Sequence, residues 1–76
     1  MDIQFEIESA ERIIISNDEE LKLVKDKYFS TEGILPQIYK LASLERGTKS
    51  DNILKQLVKI RTIVDSKIKD YLTNIT

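Results

Sequence analysis

Two acidic pairs, Glu6/Glu8 and Glu19/Glu20, are the residues whose type and spacing come nearest to chemistry in this 76-residue chain. Paired carboxylates bind a hard cation or exchange protons when several oxygens converge in one pocket. Here one pair falls at a helix start and the other at solvent-facing spacing, where capping and solvation account for them better. Cysteine and histidine are absent. The chain therefore offers no thiolate or imidazole for zinc, no disulfide, and no nucleophile activated by either residue. Its Ser and Thr hydroxyls lack the usual base. Its two glycines, Gly33 and Gly47, lie too far apart for a phosphate-binding loop. No enzyme, cofactor or metal site is expected. The remaining candidates are Tyr28, Tyr39 and Tyr71, which suit the edge of a protein interface as well as the boundary of a core. Tyr71 leans toward the interface; Tyr28 and Tyr39 fit either role.

The elements that would position these residues are helical. Ile3, Ile7, Ala10 and Ile14 recur at helical spacing, giving a helix over 2–15 with a β-branched exit at Ile13-Ile14-Ile15. Asn17 with Glu20 three positions on reads as a cap for a helix running to about Phe29. After Ser30-Thr31-Glu32-Gly33, Pro36 suits a first helical position and Gly47 the position just past an end. Ser50 or Asp51 then caps a long helix to Asn74. The short Gly47-Thr48-Lys49 turn makes Pro36–Arg46 and Asp51–Asn74 antiparallel neighbours. The expected fold is all-α: a C-terminal antiparallel helical hairpin (about 36–46 and 51–74), one or two shorter helices before it, and partner helices completing a bundle. Residues 1–30 form an N-terminal helical segment and 31–76 the hairpin.

The long helix carries an eleven-residue repeat. Ile53, Leu57 and Ile60 recur as Val64, Ile68 and Tyr71, and Ile75 opens a third round. At about 100° per residue these seven fall within roughly 80° of one another. A helix of about 24 residues is ~36 Å long, whereas a compact chain of this size spans only ~30 Å. The stripe should therefore outrun its own body and seek a partner. Leu54 and Val58 widen the apolar face near its start, but eleven residues on stand Asp65 and Lys69. The first half should thus touch two neighbours and the second half one. The eleven-residue period gives ~3.67 residues per turn and disfavours a simple leucine-zipper homodimer.

Charge is divided along the chain. Residues 1–38 hold nine acids and four bases (−5), and residues 39–76 hold four acids and eight bases (+4). Complementary protein faces explain this better than nucleic acid, which calls for one concentrated basic face. The acidic N-terminus and the absence of any apolar run longer than Ile13-Ile14-Ile15 lead to the expectation of a soluble chain, with no signal peptide and no membrane partner.

The stretch Ile34-Leu35-Pro36-Gln37-Ile38-Tyr39-Lys40-Leu41, followed by Ile53-Leu54-Lys55-Gln56-Leu57-Val58-Lys59-Ile60-Arg61, resembles the Mediator complex subunit 9 family over about Ile34–Ile75. The similarity lies in an apolar-Pro-x-Ile-aromatic helix start and a basic-apolar pattern at Lys59–Val64. It implies a non-enzymatic nuclear subunit of the Mediator middle module, packed with its neighbours and with subunit 4 above all. Matching family positions are Leu35, Ile38, Tyr39, Leu57, Ile60 and Val64. With the rest of the stripe, the expected partner interface is Leu35, Ile38, Tyr39, Ile53, Leu57, Ile60, Val64, Ile68, Tyr71 and Ile75. The competing reading is a small dimeric nucleic-acid-binding regulator of phage or plasmid type, contacting phosphates through Lys55, Lys59, Arg61, Lys67 and Lys69. A self-contained homodimeric bundle is a third.

Overall fold

A computed structural model describes residues 2–74. Four helices follow in order: α1 (Ile3–Glu11), α2 (Asp18–Phe29), α3 (Ile34–Leu44) and α4 (Thr48–Asn74). The all-α expectation is met. Each start has a local cause. Asp2 caps α1, its Oδ1 accepting from the Phe5 N–H at 3.2 Å. Asn17 Oδ1 accepts from the Glu20 N–H at 2.8 Å to begin α2. The Glu20 carboxylate reaches back to the Ser16 N–H at 3.1 Å, one residue beyond the expected partner. Three acids in that first turn face the positive end of the helix dipole.

Several boundaries differ from the sequence reading, among them the end of α3, which falls at Leu44 rather than Arg46 because Glu45 is already in extended backbone. α1 stops at Glu11, and Ile13, Ile14 and Ile15 are not helical. Ile13 and Ile15 are half-buried and Ile14 points out at 80% exposure. α3 begins at Ile34, so Pro36 occupies the third helical position, where an N–H is still not needed. α4 begins at Thr48, and the first helical bond runs from the Asp51 N–H to the Gly47 carbonyl. Gly47 is thus the entry residue of α4, at φ 65°, a left-handed geometry that favours glycine. Ser50 caps no N-terminus. Its Oγ donates across the hairpin to the Ala42 carbonyl at 2.9 Å, a second bond to an oxygen that also accepts from the Glu45 N–H at 3.2 Å.

Gly33 closes the corner between α2 and α3. It is buried, and a Cβ there would stand 2.9 Å from the Lys27 and Tyr28 carbonyl oxygens. Only a residue without a side chain lets α3 start against the end of α2. From this corner α2 and α3 extend in succession along α4, both antiparallel to it. The α2 end of this arrangement is fixed by the Tyr71 hydroxyl donating to Asp18 Oδ1 at 2.8 Å, and the α3 end by the Ser50 bond.

One core draws on all four helices: Ile7 and Ala10 from α1, Tyr28 from α2, Leu35 and Ile38 from α3, Ile60 and Val64 from α4. The N-terminal helices are therefore built into the same core as the hairpin. The body is a rod of 44 × 19 × 18 Å with a radius of gyration of 13.2 Å, against ~11 Å for a compact chain of this length. α4, at ~40 Å for 27 residues, sets the long axis.

Candidate interaction surface

The expected interface residues separate into three groups. Ile38, Ile60 and Val64 are fully buried and Leu35 nearly so, all inside the chain's own core. Ile53, Leu57 and Ile68 are half-buried and packed against it, and Tyr71 is half-buried beside Asp18. Tyr39 stands out in solvent at 62% exposure, and Ile75 lies outside the described residues. The stripe is thus covered from within, which corrects its reading as a ridge held open for a partner. The correction comes from shape. A diameter of ~30 Å holds for a sphere, but this body is a rod, and α1 packs on α4 alongside α3.

What is open is the adjoining face of the hairpin. Tyr39 rises between two shallow depressions. One, of about 230 Å³, is lined by Phe29, Leu35, Pro36, Tyr39, Leu57 and Arg61. The other, of about 140 Å³, is lined by Tyr39, Ala42, Ser43, Ser50 and Leu54. Small-molecule sites run to about 300–1,000 Å³ with several convergent polar groups, and these depressions fall short on both counts. Phe29 and Val58 add exposed apolar surface, at 40% and 58%. The sequence pointed at this face through Leu54 and Val58, the residues that widen the stripe. It missed Phe29, whose exposure depends on how α2 meets α3.

The paired carboxylates do not converge on a pocket. Glu20 completes the cap of α2, and Glu6 is half-buried near Tyr28, whose hydroxyl burial and then the Glu6 charge push above its usual 10.0. That hydroxyl has no hydrogen-bond partner among the described residues, while Lys27 Nζ lies 5.6 Å from the ring centroid. Tyr71 is also raised above 10.0, first by its bond to Asp18. Among the described residues no acidic group is arranged to hold a metal ion, and no helix is long and apolar enough to cross a membrane. No family model matches the chain, and neither a curated protein nor a solved structure matches it.

Proposed function

We propose that this chain is a non-enzymatic interaction module that lends its α3–α4 hairpin to a larger protein assembly. The observation that carries the reading is Tyr39, largely in solvent between two apolar depressions, on a face without catalytic groups. Tyrosine is a favoured anchor in protein interfaces because it combines a large ring with a polar tip at little entropic cost. The basic residues Lys55, Lys59, Arg61, Lys67 and Lys69 of α4, spread over most of its circumference outside the stripe, support a protein partner over a nucleic-acid duplex. The likeness of Ile34–Ile75 to the Mediator subunit 9 family suggests the first assembly to try: the nuclear middle module, with subunit 4 as the neighbour.

The test is a photo-crosslinking residue placed at position 39 and, as a control, at Phe5, which is 59% exposed on α1. In cells that make the protein, the position-39 probe should capture a defined protein and the position-5 probe should not. Equal labelling from both positions, or none from 39, overturns the proposal. Capture of Mediator subunit 4 would fix the assembly, and capture of unrelated proteins would remove the Mediator form of the reading.

A further inference from the structure

The eleven-residue stripe of α4 is largely taken up by the chain's own core, and a second row on the same helix, which shares only Ile68 with the stripe, is left mostly outside. Leu54, Val58, Arg61, Asp65, Ile68 and Leu72 follow one another at spacings of four, three, four, three and four residues. That is the seam of a heptad, along which two helices interlock their side chains. At about 100° per residue the six lie within ~80° of one another, turned ~80° from the centre of the buried stripe. The row is open. Leu54, Val58 and Leu72 are 36%, 58% and 43% exposed, Ile68 is half-buried, and the Arg61 and Asp65 side chains are 66% and 57% exposed. The row spans ~27 Å of helix at 1.5 Å per residue.

The order of residues along the row selects the partner. Apolar side chains occupy both ends, with one base and one acid at the centre. Against a second copy running in the opposite direction, Leu54 faces Leu72, Val58 faces Ile68 and Arg61 faces Asp65. All three pairs are symmetric about position 63, so a two-fold axis there generates each of them twice. A parallel copy would set Arg61 on Arg61 and Asp65 on Asp65. A wholly apolar helix from another protein would leave both charges unpaired in the seam. Within one chain, Arg61 Nε and Asp65 Oδ2 are 3.8 Å apart in solvent, a pair of little worth that can be exchanged for intermolecular ones. The geometry points to an antiparallel homodimer formed by α4 along this row. This inference rests on the interaction role proposed above and names a second copy of the chain as the occupant of this row.

The test is a charge exchange in trans, read by sedimentation of the full chain. The wild type self-associates. Arg61→Asp sets an introduced acid against Asp65 of the second copy, and Asp65→Arg sets an introduced base against Arg61. Each variant alone should associate roughly 10- to 100-fold more weakly, because two attractive pairs become repulsive. Mixed in equal amounts, the two variants should recover a dimer. The acid introduced at position 61 of one chain then meets the base introduced at position 65 of the other, and the native Asp65 and Arg61 meet at the symmetric place. No effect confined to one helix gives that recovery. Val58→Glu, on an exposed position, should also weaken association while leaving the helical circular dichroism unchanged. A wild type that stays monomeric at every soluble concentration overturns the inference. So do single variants that associate as well as wild type, or a mixture that remains monomeric. None of these results alters capture of a different protein from position 39, so the two proposals fail separately.

Discussion

Truncating Ile60 to alanine asks whether the α4 stripe is core or interface. The side chain is fully buried, and the change deletes three carbons. At ~0.8 kcal/mol per buried carbon the transfer loss is about 2.4 kcal/mol, and the residual cavity raises it to about 3 kcal/mol. A chain of this length has a total stability of only ~4–11 kcal/mol, so the loss is a large fraction. For a domain of this size it lowers the melting temperature by ~12–24 °C. The control is Val58→Ala on the same helix, 58% exposed, which should stay within ~0.5 kcal/mol. Both are followed by thermal circular dichroism, at dilutions where the chain is monomeric. If Ile60→Ala melts within a few degrees of Val58→Ala, the stripe is not internal and the described packing of α1 and α3 on α4 is wrong.

Three further outcomes follow from the geometry. Gly33→Ala places a Cβ 2.9 Å from backbone atoms of Lys27 and Tyr28. The α2–α3 corner must open, at a cost of about 1–3 kcal/mol in urea unfolding; an unchanged midpoint would mean the approach is looser than described. Ser50→Ala removes the bond to the Ala42 carbonyl and should cost about 1 kcal/mol, whereas the equivalent change at exposed Asp51 should cost less. Tyr71 and Tyr28 are both raised above 10.0. For such a group, stability present below the unfolded value is lost as pH rises through the folded one. The tyrosinate absorbance of Tyr28 and Tyr71 should therefore develop late, above pH 10.0, and stability should fall as it does. Tyr71→Phe should remove the part due to Asp18, and an unchanged titration curve would count against that hydrogen bond.

Helix α2 was legible almost to the residue, because Asn17, the acids after it and the turn at Ser30–Gly33 all mark the same ends. The hairpin was legible in outline, but its starts were not. Pro36 fits any of the first helical positions, since none needs its N–H, and Ser50 looks like a cap until α3 is seen to end beside it. The spacing rightly marks the stripe as a surface that must be covered. It does not name the cover, because spacing fixes which residues share a face but not which neighbour reaches them. The same limit held back Phe29 and the heptad row. Leu54 and Val58 stand out in the sequence, but their outward direction depends on where α3 sits around α4.

Helix α4 is pinned near both ends, by Ser50 to α3 and by Tyr71 to α2. The pins are 21 residues apart, ~32 Å of helix. A rod clamped at two such stations neither slides nor spins: a slip of one residue would carry it 1.5 Å lengthwise and turn it through about 100°. Whatever settles along its outer side therefore finds the same angular bearing every time, and the shaft serves as an indexed spindle.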